Sequence, residues 1–406
     1  TPAQRGAGPA AAPRRRSLPA RFSFDRWLGA EAAIAAEPRD AACTAPFPAI
    51  PEATADEESA LPRDPPALEG ILASLGEALH ALHKFAGSEA ISALRALPHT
   101  QRQTAFVQGL LARCHFESAE YGKAAEVYEA CCEAYGGQRF VGLEYYSTAL
   151  WHLRESAKLG FLAQRVLEWD RLRPQTWCVV GNCFSLQREP EQAIRCLRRA
   201  LQLDPCFAYA YALLGHEYAA SEKYGHAIQM YERAVSVDCR HYNAWWGLGN
   251  MYYKQEDYRN ARYHFQRAVE INRHNPVLRT SLGMACQALQ EPERALEHFG
   301  AAEGSAHCGA LAAFQRGCAL AALDRHAEAE AALQRAQHLA PQEPCVHFEL
   351  GRVHSARGDE QRALRHFTLA MDLSGARDSR DPQIVLRAQR ELARCADSAL
   401  MRQLCG

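Results

Sequence analysis

His216 and Glu217 stand side by side. A zinc protease opens its metal helix with such a pair, the glutamate acting as base and a second histidine following one turn on. That place is Ala220 here, so the metal site is not completed. His347 and His354 lie two turns apart on one expected helix, but the sequence supplies no third ligand beside them. No Gly-x-x-x-x-Gly-Lys phosphate loop and no Gly-x-Ser-x-Gly nucleophile elbow occurs. The fifteen cysteines are odd in number and scattered, with no Cys-x-x-Cys pair. That pattern reads as reduced thiols in cytosol or nucleus rather than a disulfide or metal framework. The expectation is a chain that is not an enzyme and needs no cofactor.

Other side chains suit recognition better. Asn182, His216 and Asn250 follow one another at a single constant spacing. Asparagine is unfavourable in mid-helix unless it is exposed or hydrogen bonded, so Asn182 and Asn250 are candidates to hold a peptide backbone or a terminal carboxylate. Tyr209, Trp246 and Tyr253 could wall an apolar pocket, or simply pack one repeat on the next. Glu217 could pair with a basic side chain.

The elements that must position these residues repeat with the same spacing. Gly181, Gly215, Gly249, Gly283, Gly317 and Gly351 recur at that constant step, each followed twelve residues later by alanine and seven after that by another alanine. A period of about 34 residues with these small side chains is the pattern of the tetratricopeptide repeat, two antiparallel helices per unit stacked into a superhelix with a concave groove. The glycine allows close approach of the second helix, and the alanines allow the next pair to stack. The fold class expected is all-α, a right-handed tetratricopeptide-repeat solenoid of about nine helix pairs plus a capping helix.

Four stretches follow. Residues 1–67 are rich in proline and alanine and read as a disordered leader. Residues 68–173 hold three degenerate repeats, at about 71–104, 105–138 and 139–173, with Ser147 in the glycine position of the third. Residues 174–377 hold six regular repeats, and residues 378–406 a capping helix opened by Asp381-Pro382, then a tail. A net charge of −1 gives no electrostatic footprint for nucleic acid, and no run of apolar residues is long enough for a membrane span. The sequence begins with threonine, which fits a piece of a longer protein.

Several strings exceed what repeat packing demands: GLEYYSTALWHL at 142–153, WCVVGNCFSLQRE at 177–189, YAYALLGHE at 209–217, RHYNAWWGLGNMYYKQE at 240–256 and AMDL at 370–373. Together they resemble the carboxy-terminal half of the cell division cycle protein 27 family, subunit 3 of the anaphase-promoting complex, from about Gly76 to Leu373. The resemblance implies a non-catalytic scaffold of a ubiquitin ligase acting in mitosis and cell division, found in nucleus and cytoplasm. It implies a groove that captures the Ile-Arg carboxyl-terminal tails of coactivators, contacts with other subunits of the complex, and homodimerisation through amino-terminal repeats not visible here. By that analogy the tail would lie around Asn182, His216, Glu217, Trp246 and Asn250. The alternative is a co-chaperone or adaptor that binds another peptide tail. A clamp for an acidic tail needs lysine or arginine on the groove face, and the second and fifth positions of the first helices carry none.

Overall fold

The computed structural model describes residues 65–134, 142–304, 308–376 and 385–394. Residues 1–64 of the expected leader, Asp381-Pro382 and the tail beyond 394 fall outside these, while residues 65–67 of that leader already belong to the first helix. Among the described residues there are helices and no strands. The first three pairs are α1 (Pro65–His83) with α2 (Gly87–Ala96), α4 (Ala105–Glu117) with α5 (Tyr121–Ala134), and α6 (Leu143–His152) with α7 (Ser156–Trp169). A single turn, α3 (His99–Arg102), links the first two. Next come α8 (Pro174–Leu186) with α9 (Pro190–Leu203), α10 (Ala208–Ala220) with α11 (Tyr224–Val237), and α12 (Tyr242–Lys254) with α13 (Tyr258–Ile271). The last are α14 (Pro276–Ala288) with α15 (Pro292–Ala302), α16 (Gly309–Ala322) with α17 (His326–Leu339), and α18 (Pro344–Ala356) with α19 (Glu360–Ala376). A final helix, α20, covers 385–394 and buries Ala388 against Phe348, Ala363 and Phe367.

Local chemistry sets the ends of these helices. Proline stands in the first turn of α8, α9, α14, α15 and α18, where its missing N–H costs nothing. Asn275 caps α14 by accepting from the Val277 N–H at 2.9 Å, and Asp257 caps α13 from Asn260. The first helix of every pair stops at one left-handed residue: Phe85, Ala119, Arg154, Arg188, Glu222, Glu256, Gln290, Asp324 and Gly358. The steps between them are constant, except that the step from Ala119 to Arg154 is longer by one. One extra residue therefore lies between Ala119 and Arg154. Only the last of the nine is glycine, so the turn between paired helices is held by packing rather than by a residue that favours it.

The glycine register has a more specific cause than backbone proximity. A Cβ on Gly215 would lie 2.6 Å from the Tyr231 ring, and one on Gly249 would lie 2.6 Å from Phe265. The first helix keeps a notch, and a large side chain sixteen residues on fills it. Tyr231, Phe299 and Phe367 are among the largest fully buried side chains as a result. In the third pair the notch is gone. Ser147 replaces glycine and Ala163 stands sixteen residues on, a small side chain in place of a ring.

Successive first helices pack side by side, α8 on α10 and α10 on α12, so equivalent positions line up in one wall. The superhelix also turns back on itself. Phe85 packs edge-on against Tyr242 at 5.3 Å, Arg240 donates to the carbonyl of His83, and Tyr242 donates to Glu117 at 2.5 Å. The first two pairs are thereby pinned to the start of α12.

Candidate peptide-binding groove

The seven residues singled out by spacing all lie on α8, α10 and α12, but the structure divides them. Asn182 is 5% exposed, and its Nδ2 donates to Ser147 Oγ at 2.9 Å and Thr148 Oγ1 at 3.0 Å. Tyr209 is buried too, donating to Thr148 Oγ1 at 2.7 Å, and burial pushes its phenol well above the ordinary range. Ser147 and Thr148 donate in turn to the Glu144 carbonyl. These side chains seal α8 and α10 to α6, leaving Asn182 and Tyr209 little to offer a ligand.

The other five stay half-buried at the surface of the wall. Glu217 accepts from Ser185, while burial raises its carboxyl pKa above the usual value. Ser185 also accepts from the exposed Trp151 indole at 3.1 Å. His216 Nδ1 meets the Tyr231 hydroxyl at 2.8 Å, and its ring lies 5.9 Å from Trp246. Trp246 donates to Ser281 Oγ on α14 at 2.9 Å, which fixes the indole and leaves a partly open ring face. Asn250 makes no side-chain hydrogen bond among the described residues and is half-exposed one turn beyond Trp246. Tyr253 packs edge-on against Tyr258 at 5.2 Å, and burial pushes its phenol up to about 12.

This arrangement offers a carboxylate at Glu217 on α10 and, on α12, an amide at Asn250 flanked about one turn to either side by Trp246 and Tyr253. It can hold a basic side chain, an apolar one and a hydrogen-bonding terminus. It offers no nucleophile activated by a base, and no group of metal-binding residues forms among the described residues. The spacing overlooked Trp151 and Ser185, which extend the wall to α6. Their signal was present, since both occupy the position that Tyr253 holds in its own repeat. It also overlooked the third histidine of the last pair. His366 stacks between His347 and His354 at 5.6 and 5.3 Å, and burial together with those neighbours holds its pKa down to about 4.

Comparison with known proteins agrees with this architecture. Residues 174–205 and 213–276 match the tetratricopeptide repeat family. In structure, the chain superposes on a crystal structure of the APC/C hetero-tetramer Cut9–Hcn1 with a TM-score of 0.62 and 17% identity, covering 76% of this chain and 59% of that one. The chain is a tetratricopeptide-repeat solenoid.

Its curated relatives narrow the class. It is 36% identical over 305 residues to anaphase-promoting complex subunit 3 of Schizosaccharomyces pombe, covering 75% of this chain and 46% of the relative. It is 37% identical over 303 residues to cell division cycle protein 27 homolog B of Arabidopsis thaliana, covering 75% of this chain and 41% of the relative. The chain belongs to the cell division cycle protein 27 family and spans less than half the length of these relatives.

Proposed function

We propose that this chain is a non-catalytic scaffold of the anaphase-promoting complex, working in nucleus and cytoplasm beside the complex's other subunits. Its groove between α10 and α12 takes the Ile-Arg carboxyl-terminal tail of a coactivator. The observation that carries this is the placement of Glu217 and Asn250. One is an acidic group and the other an amide without an internal hydrogen bond, on neighbouring first helices, with Trp246 one turn before Asn250. The guanidinium goes to Glu217, the terminal carboxylate to Asn250, and the isoleucine side chain to the Trp246 ring. Asn182 and Tyr209 support this site from behind through their bonds to α6.

The test is fluorescence anisotropy of the full chain with a labelled peptide ending in Ile-Arg. Controls are the same peptide amidated at its carboxyl terminus and an acidic tail of heat-shock type. Saturable binding that needs the free carboxylate and the arginine supports the reading. Preference for the acidic tail, or binding unaltered by Glu217→Gln, defeats it.

A further inference from the structure

The third helix pair carries a surface that its own packing does not use, and it lies apart from the groove. Phe161 on α7 is 62% exposed, and Leu172, in the loop that follows α7, is 74% exposed. Nothing in the repeat calls for an apolar residue at either place. The positions equivalent to Phe161 in the next two pairs are Arg195 and Gln229, and those equivalent to Leu172 are Cys206 and Arg240. The Arg165 guanidinium lies 5.5 Å over the Phe161 ring and 4.7 Å over Trp169. Phe161, Arg165 and Trp169 thus form a ladder along one face of α7, at the four-residue spacing that aligns side chains on a helix. Trp169 also lines a cavity of about 320 Å³ between α6, α7 and the start of α8, with Leu143, Val166, Asp170, Arg173 and Thr176.

Charge selects what could cover this surface. Arg165 is held flat by the two rings, and Arg171 is held by donation to the Leu167 carbonyl at 3.0 Å. Neither has a carboxylate partner among the described residues. The one acid lining the cavity, Asp170, already accepts from the Leu172 N–H at 2.8 Å. From Phe161 to Trp169 the ladder runs for about 12 Å, at about 1.5 Å per helical residue, which suits a polypeptide better than a small ligand. A large exposed apolar patch edged by charge marks an interaction site.

We propose that this face docks an acidic segment of another protein. A bulky apolar side chain of that segment packs on the exposed Phe161 ring, and its carboxylates pair with Arg165 and Arg171. The orientation follows from the ladder: Arg165 is pre-ordered, so a carboxylate gains a fixed guanidinium without first having to order it. The site is independent of the tail-binding reading and stands or falls without it.

The probe is a fluorescein-labelled peptide of alternating glutamate and leucine, titrated against the full chain. Beside it run a peptide with lysine for glutamate and one with serine for leucine. The acidic apolar peptide binds saturably, and the other two bind at least about tenfold more weakly. Phe161→Asp and Arg165→Glu each weaken binding by about tenfold or more with an unchanged melting temperature, because both side chains lie at the surface. Tyr263→Asp, at the equivalent exposed position of α13, leaves binding unchanged. The proposal is overturned if the lysine peptide binds as tightly, if no peptide saturates, or if Phe161→Asp binds like the parent.

Discussion

The Tyr242 phenol donates to the Glu117 carboxylate at 2.5 Å, joining residues 125 positions apart in sequence. Glu117 is buried and has Arg113 Nε at 3.8 Å as its other charged neighbour. Burial raises its carboxyl pKa, and the bond from Tyr242 is the largest influence holding it down. With Phe85 packed on the same tyrosine, this contact fixes the first two helix pairs against the start of α12, and so fixes the helix that carries Trp246 and Asn250.

Tyr242→Phe keeps the ring contact and removes only the donor. It should destabilise the fold by about 1–3 kcal/mol, the cost of leaving a buried acceptor unmet. Melting followed by circular dichroism measures the loss. Small-angle scattering should show a more open superhelix. An unchanged radius with unchanged melting would mean that the contact does not close the turn.

Glu144 makes the opposite prediction. Its Oε2 is buried with no hydrogen-bond partner, and burial raises its pKa. The folded chain therefore holds this proton more tightly than the unfolded chain does. Below the unfolded carboxyl value of about 4.3 both states are protonated and the residue costs little. As pH rises through that value toward the folded one, the unfolded state ionises first and stability falls. Glu144→Gln should thus raise stability by about 1–2 kcal/mol at pH 7 and by almost nothing at pH 4. Chemical denaturation at the two pH values decides it.

Gly215 tests the notch. Glycine to alanine inside a helix ordinarily stabilises by about 1 kcal/mol. Here the new methyl meets the Tyr231 ring at 2.6 Å, so Gly215→Ala should instead destabilise, by about 1–3 kcal/mol. Pairing it with Tyr231→Ala should cost less than the two single changes added together. The chain already contains such a pair in Ser147 and Ala163.

That pair shows where sequence reading succeeds and where it stops. The constant glycine register exposed the helix pairs because each glycine answers a local need, room for one large side chain, that recurs in every regular unit. The left-handed turns were silent, since Arg188, Glu222 and Gln290 give no signal for such a conformation and packing imposes it. The site was legible only as a wall. Asn182 and Asn250 hold the same position in their repeats, yet the bonding partners of Asn182 are Ser147 and Thr148, in one of the three pairs that lack the glycine. No periodic argument could separate the two asparagines. Closure of the superhelix by Tyr242 and Glu117 was likewise hidden, because nothing local links residues so far apart.

The two asparagines therefore part company under mutation. Asn182→Ala strips a donor from a buried network and should lower stability by about 1–2 kcal/mol. Asn250→Ala should leave melting within about 0.5 kcal/mol of the parent, as expected for a surface change, while weakening the Ile-Arg peptide several-fold. Melting and anisotropy on the same two variants separate a structural asparagine from a binding one. Equal effects of both variants on both measurements would remove the distinction.

Glu217 sets the pH range in which the groove works. Its carboxyl must be ionised to hold a guanidinium, and burial raises its pKa while the Ser185 bond only partly counters this. Peptide affinity should therefore be full near pH 8 and decline as pH falls, beginning at a higher pH than an exposed carboxylate would give. In Glu217→Gln the affinity should be low and flat across the same range, because an amide carries no charge to lose. Ser185→Ala removes the bond that favours the ionised form, so it should shift the decline to still higher pH. Anisotropy titrations between pH 5 and 8 on the three proteins check this order. A decline that persists in Glu217→Gln would assign the titrating group elsewhere, with the neighbouring His216 the next to mutate.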